Sequence, residues 1–212
     1  MKPLGKENIV YVDNHLLVIE KPAEMATQPD LTELAKAWVK GKFHKPGNVF
    51  LHPIHRLDKP VSGLVLFART SKALTRLQEM MRERQIEKIY HAWVEGTPPE
   101  PQGTLVHHLT HGSFKAQLSS EGKESILDYK ILKREKGNTL LEIHLVTGRY
   151  HQIRAQLSAI GCPILGDDKY GSKKKWPKGI ALHHAEMRLQ HPVTKQALIF
   201  KSTVRGCFKI QF

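Results

Sequence analysis

The sequence predicts an α+β protein, and three observations carry that reading. Apolar runs of strand length outnumber helical stretches. Most of those runs pair across short turns, as hairpins do, and the helical stretches are few and amphipathic.

Taken in order, Ile9-Val10-Tyr11-Val12 and Leu16-Leu17-Val18-Ile19 flank Asp13-Asn14, the pattern of a β-hairpin that Lys21-Pro22 closes. A short helix is expected from Leu31 to Val39, capped by Asp30 or Thr32, with Leu31, Leu34, Ala35 and Trp38 on one face. Gly41 to Asn48 reads as a basic loop, and Val49 to Arg56 leads into Asp58. Gly63 to Arg69 reads as a buried strand. Thr70-Ser71 then supplies the cap of a helix reaching Arg84, with Leu74, Leu77 and Met81 facing the core. Ile86 to Glu95 is a further strand, followed by a rigid turn from Gly96 to Pro101.

The stretch from Gln102 to Lys123 is polar and rich in Ser, Gly and His, and reads as a weakly ordered hairpin region. Leu127, Tyr129 and Ile131 alternate with polar neighbours, as do Leu141, Ile143 and Leu145, so the two runs pair antiparallel around Gly137-Asn138. A helix opened by Thr147-Gly148 carries Tyr150, Ile153, Leu157 and Ile160 along one side and stops at Gly161 and Pro163. A Gly- and Lys-rich loop runs from Gly166 to Gly179. Ala181 to Leu189 and Leu198 to Val204 are the last strands, turning at His191-Pro192-Val193-Thr194.

With 212 residues the chain can bury a substantial core, and one domain over residues 8–212 is expected, although two lobes would also fit that length. Lys and Arg number 33 against 20 Asp and Glu, a net charge of +13. That excess favours a polyanionic partner, because each phosphate contact releases counterions. Cys162 and Cys207 are far apart and form no metal-binding pair, so both read as reduced core thiols. No apolar stretch of signal-peptide or membrane-spanning length occurs, and the protein reads as cytoplasmic and monomeric.

Asp58 follows His55-Arg56-Leu57 and precedes Lys59-Pro60 in a loop between two expected strands. A carboxylate beside cations is expected to stay ionised, able to act as nucleophile or base. On spacing alone, a lone loop Asp is more often a turn cap. Its sequence company decides the matter. His55-Arg56-Leu57-Asp58-Lys59-Pro60-Val61-Ser62-Gly63-Leu64 resembles the catalytic signature of the RluA-type pseudouridine synthases. Three other segments resemble motifs of that family, in the family's order. They are Asp13 through Lys21-Pro22, Lys88 through Gly96 around Tyr90, and Gly148 through Arg154 followed by Gly161-Cys162-Pro163-Ile164 and Gly166-Asp167. Val61, Ala23-Glu24 and Gln156 depart from the commonest forms of these motifs but remove no catalytic group.

The resemblance implies the pseudouridine synthase fold, a mixed, mostly antiparallel central sheet flanked by helices and loops with an active-site cleft across it. It implies no accessory RNA-binding domain in this chain. It also implies an isomerase that detaches uracil N1 from the ribose, turns the base and rejoins it through C5, with no metal or other cofactor. The substrate class implied is structured RNA, a ribosomal or transfer RNA stem-loop whose target base is flipped out. Asp58 is then the catalytic residue, attacking the ribose C1′, removing the 2′ proton or adding to uracil C6. Arg154 would pair with Asp58 and hold it ionised, and Tyr90 would stack on the flipped uracil. His55, Arg56 and Leu57 would line the same site, with Arg56 contacting a phosphate or filling the place of the flipped base.

Each assignment has a plainer rival. Arg154 could be a surface phosphate contact, and Tyr90 a core strand residue. The chain as a whole could be an RNA-binding protein of the same fold without catalysis. The clusters His107-His108-His111, His183-His184 and His52/His55 lack the spacing of a zinc site, which disfavours a metal-dependent hydrolase. Lys40 to Lys45 with Phe43, and Lys173-Lys174-Lys175-Trp176, are candidate RNA contacts or simply solvated loops.

Overall fold

A computed structural model of the chain describes residues 3–202. Cys207 and the last two positions of the expected final strand, Thr203 and Val204, lie outside the described residues. The chain divides into two compact units, one formed by residues up to Ile86 together with those from Glu186, the other by Glu87–Ala185. Among the described residues are eleven strands and three α-helices, which is the expected α+β class.

In the first unit, β1 (Ile9–Val12) and β2 (Leu16–Lys21) form the expected hairpin. Its turn is fixed by Asp13, whose Oδ1 accepts from the backbone N–H of His15 and Leu16, both at 2.7 Å. A helical turn over Thr27–Leu31 leads into α1 (Thr32–Lys42), which runs three residues beyond the expected end into the basic loop. No side chain caps it; the Thr32 hydroxyl instead donates back to the Thr27 carbonyl. The two-residue strand β3 (His52–Pro53) precedes the Asp58 loop, and β4 (Ser62–Ala68) follows it. β2 and β3 both pair antiparallel with β4.

Thr70 caps α2 (Ser71–Arg82) as expected, its hydroxyl accepting from the Ala73 N–H. The buried stripe of α2 is Ala73, Leu77 and Met80, with Leu74 and Met81 at its margins. It packs on Leu16, Val18, Leu64 and Leu66, which explains the unbroken apolar run of β4. The second half of strand Leu182–Gln190 pairs antiparallel with Ala197–Lys201, completing this unit.

The second unit is built on β5 (Glu87–Glu95), β6 (Gln102–His111), β7 (Ala116–Leu118), β8 (Lys123–Glu135) and β9 (Asn138–Leu145), in the spatial order β5-β9-β8-β6-β7 with antiparallel neighbours. Lys136 and Gly137, both at positive φ, make the tight turn between β8 and β9. The stretch expected to be weakly ordered is instead the ten-residue β6, paired with β8 from Gln102 to Leu109. Its polar composition reflects exposure of one face, since its burial alternates along the strand.

Helix α3 (Gln152–Ala159) begins later than Thr147-Gly148 suggested. The segment before it is a turn in which Gln152 Oε1 accepts from the Thr147 hydroxyl and the Arg149 N–H, and His151 adopts a left-handed φ of 51°. Tyr150 therefore precedes the helix and is exposed, not part of a buried stripe. α3 itself is buried all round from Gln152 to Leu157. Strands β10 (Leu182–Gln190) and β11 (Ala197–Lys201) end the described chain.

Candidate active site

Asp58 sits half-buried on the loop between β3 and β4, and the first unit grips the backbone on both sides of it. The residue before it, Leu57, is held by the Thr27 hydroxyl, which accepts from Leu57 N–H and donates to Leu57 C=O, each at 3.0 Å. The residue after it, Lys59, offers its carbonyl to the Glu24 N–H at 2.8 Å and to Lys21 Nζ at 3.4 Å. Val61 N–H closes the turn onto the Asp58 carbonyl at 3.0 Å. Glu24 itself has φ 64°, a left-handed position that bends the segment back toward Lys59.

Lys21 is the largest fully buried side chain described, with 0% of its surface exposed. Its Nζ also donates to the carbonyls of Met25 at 2.7 Å and Pro22 at 3.1 Å. Burial pushes the ammonium down to about 8, while the charges of Asp58 and Glu24 act to raise it. The opening Lys21-Pro22 segment is thus a clamp on the Asp58 loop. Neither Thr27 nor this use of Lys21 could be read from local spacing, because the contacts join segments about thirty residues apart.

The other expected site residues of this unit differ in setting. His55 Nε2 accepts the Leu66 N–H at 3.2 Å, so this ring braces β4. The Leu57 side chain is buried, and Arg56 is exposed.

In the second unit, Tyr90 lies on β5 with its ring stacked on that of His184 at 4.5 Å between centroids and 14° between planes. Both rings are buried. The neighbouring His183 is pushed down to about 4 by burial and by the facing His91, which keeps its imidazole neutral at ordinary pH. Arg154, on α3, is buried with the helix residues around it and is not a surface residue. Its Nε donates to Asp167 Oδ2 at 2.7 Å and its Nη2 to Asp167 Oδ1 at 2.8 Å, a fork-to-fork pair. The guanidinium carbon also lies 5.0 Å above the Tyr170 ring centroid. Asp167 follows Gly166, whose φ of 82° and close neighbours leave no room for a Cβ: one would fall 2.7 Å from the Trp176 side chain. The Gly166-Asp167 dipeptide is therefore the mount for Arg154, a role its place in a motif did not reveal.

Among the described residues, no group of three or more His, Cys, Asp or Glu side chains is arranged to hold a metal ion. No described helix is long and apolar enough to cross a membrane.

The sequence profile of a family described as RNA pseudouridylate synthase matches residues 15–159, a span that includes Asp58, Tyr90 and Arg154. The chain is 35% identical over 202 residues to a "Ribosomal large subunit pseudouridine synthase C" of Rickettsia prowazekii (strain Madrid E), covering 91% of this chain and 66% of that protein. It therefore spans just under two thirds of that relative. It is 34% identical over 206 residues to a "Dual-specificity RNA pseudouridine synthase RluA" of Pasteurella multocida (strain Pm70), covering 92% of both chains. Its fold is similar to that of "Human RNA Pseudouridylate Synthase Domain Containing 4", with a TM-score of 0.78, 24% identity, and coverage of 92% of this chain and 87% of that one.

Proposed function

Because the chain belongs to the RNA pseudouridylate synthase family, we propose that it isomerises uridine to pseudouridine in structured RNA, with Asp58 as the catalytic carboxylate. The observation that carries this reading is the double grip on the Asp58 backbone, Thr27 on Leu57 and Lys21 with Glu24 on Lys59. A reacting carboxylate gains from a fixed main chain, since misplacement by about 1 Å can cost roughly a hundredfold in rate. A turn-capping Asp needs no such clamp.

The N1–C1′ bond breaks, the base turns, and C5 joins C1′; C5 gives up a proton and N1 ends with one, so the product is an isomer. Asp58 is the reacting carboxylate whether it meets the sugar or the base. Tyr90 and Arg154 belong to the same site in this reading. Tyr90, braced on one ring face by His184, offers a flat apolar surface to a flipped base and a hydroxyl for proton transfer. Arg154, oriented by Asp167, supplies the fixed positive charge in this reading. Arg56, exposed beside Asp58, contacts the RNA, and His55 and Leu57 shape the loop.

The substrate is ribosomal or transfer RNA: a ribosomal substrate is in keeping with the name of one relative, and an RNA of either kind with the charge of +13. Residues 8–212 act as one catalytic domain, monomeric and cytoplasmic.

Tritium release from C5-labelled uridine in ribosomal and transfer RNA transcripts tests the proposal. Wild-type protein is expected to release tritium, and Asp58→Asn to release none while binding RNA within a few fold of wild type. Turnover by Asp58→Asn near the wild-type rate overturns the assignment of Asp58. No release by wild-type protein from any transcript favours a non-catalytic RNA-binding protein.

A further inference from the structure

The turn that follows α1 and the strand end beside it form a stacking surface outside the groups assigned to chemistry. Between Glu33 and Asp58 the sequence holds no acidic residue, and Lys40, Lys42 and Lys45 are all exposed there. A flexible basic loop would explain nothing further, but this segment is built. Lys45 N–H bonds the Lys40 carbonyl at 3.1 Å and His44 N–H bonds the Gly41 carbonyl at 3.4 Å, the paired bonds of a Schellman C-cap. Its left-handed position is filled by His44, at φ 48°, where glycine is usual.

Phe43 projects from that turn with 40% of its surface exposed. The Arg69 guanidinium covers its ring at 4.3 Å, and the Trp38 ring meets it edge-on at 6.4 Å. Arg69 is itself fixed, its side chain donating to the Asp13 carbonyl and its N–H to His15 C=O at 2.8 Å. Arg69 also follows Ala68, the residue of β4 that pairs with His52 of β3. Two residues before His52 stands Phe50, 42% exposed, its ring 4.5 Å from that of His52. Two exposed phenylalanine rings, each braced by a cationic or imidazole group, thus flank the end of β4 with three lysines beside them.

We propose that this surface binds a single-stranded stretch of RNA, with bases stacking on Phe43 and Phe50 and Lys40, Lys42 and Lys45 meeting the phosphates. Exposed aromatic rings cost hydration and return nothing to this unit's core, whereas every base presents a face to stack on them. A lysine cluster alone would attract any polyanion. The rings make the surface selective for unpaired nucleotides, because paired bases keep their faces stacked inside a duplex. The proposal rests on the reading that this protein acts on RNA, and it adds where the strand beside the target lies.

The test measures fluorescence anisotropy of labelled oligouridylate and of an RNA duplex of equal length, over a range of salt concentrations. Phe43→Ala and Phe50→Ala are each expected to weaken oligouridylate binding by about tenfold, with the salt dependence unchanged. Phe43→Tyr and Phe50→Tyr should restore it, which separates stacking from misfolding. Changing Lys40, Lys42 and Lys45 together to Ala should instead lower the salt slope by about 2. Wild-type affinity in both alanine variants overturns the proposal, as does an equal loss of duplex and oligouridylate binding. These readouts need no turnover. An Asp58→Asn protein that keeps the phenylalanine effect supports the surface whatever becomes of the isomerase reading.

Discussion

Lys21 in the first unit and Arg154 in the second are both buried cations, and the two are held by different chemistry. Lys21 in the first unit is surrounded by carbonyl oxygens, those of Pro22, Met25 and Lys59. Arg154 in the second is locked to a carboxylate, with both Asp167 oxygens engaged. An ammonium is a point charge with three rotatable donors, suited to gathering backbone from several directions. A guanidinium is a rigid fork, so a bidentate carboxylate fixes its plane and direction. Lys21 therefore fixes where a loop runs, and Arg154 fixes where a charge points. The two needs differ because Asp58 rides on an irregular loop, whereas Arg154 rides on a helix whose path is already set.

The largest effect that would break this comparison is at Arg154. Removing it as Arg154→Ala leaves the buried Asp167 without its bidentate partner, and should cost about 3–5 kcal/mol of stability by chemical denaturation. The double change Arg154→Met with Asp167→Leu should restore most of that stability but none of the tritium release. Recovery of turnover along with stability would reduce Arg154 to a packing residue.

Next is the pH response of Lys21. Its folded pKa of about 8 lies below the ordinary lysine value of 10.5, so above pH 8 the unfolded chain holds a proton that the folded protein has lost. This group's contribution to stability therefore rises with pH from about 8 to about 10.5, by about 3 kcal/mol. The contribution should vanish in Lys21→Met, with urea unfolding across that range as the measure. Arg154 stays charged throughout, so no such rise belongs to it. An identical pH dependence in Lys21→Met would show that the carbonyl cage holds a lysine with an ordinary pKa.

The smallest effect sharpens the idea of a loop clamp. Thr27→Val removes one hydroxyl at nearly constant volume and leaves the Leu57 N–H and C=O short of a partner, a cost of about 1–3 kcal/mol. With Asp58 as the reacting group, kcat should fall about tenfold with KM unchanged, and Thr27→Ser should recover it. A lowered melting temperature with wild-type kcat would make the grip purely structural.

Much of this architecture was readable from local chemistry. The hairpin around Asp13-Asn14, the Thr70 cap of α2 and the β8–β9 pairing all follow from contacts between near neighbours, and each forms as expected. The errors have physical causes. β6 looked too polar for an ordered strand because one of its faces meets solvent. The start of α3 looked like Thr147-Gly148 because a Gln side chain, Gln152, organises the turn that delays the helix.

The sequence by itself determined the α+β class, the short-range turns and the ordered motifs that identify the family. Periodicity, caps and turn residues act within a few positions, and the sequence displays them directly. Only the tertiary structure decided which partner each buried polar group would take. Thr27 found Leu57, Lys21 found Lys59, Tyr90 found His184, and Arg154 found Asp167. Those choices belong to packing, where a buried donor or charge must be satisfied by whatever group the fold brings alongside it.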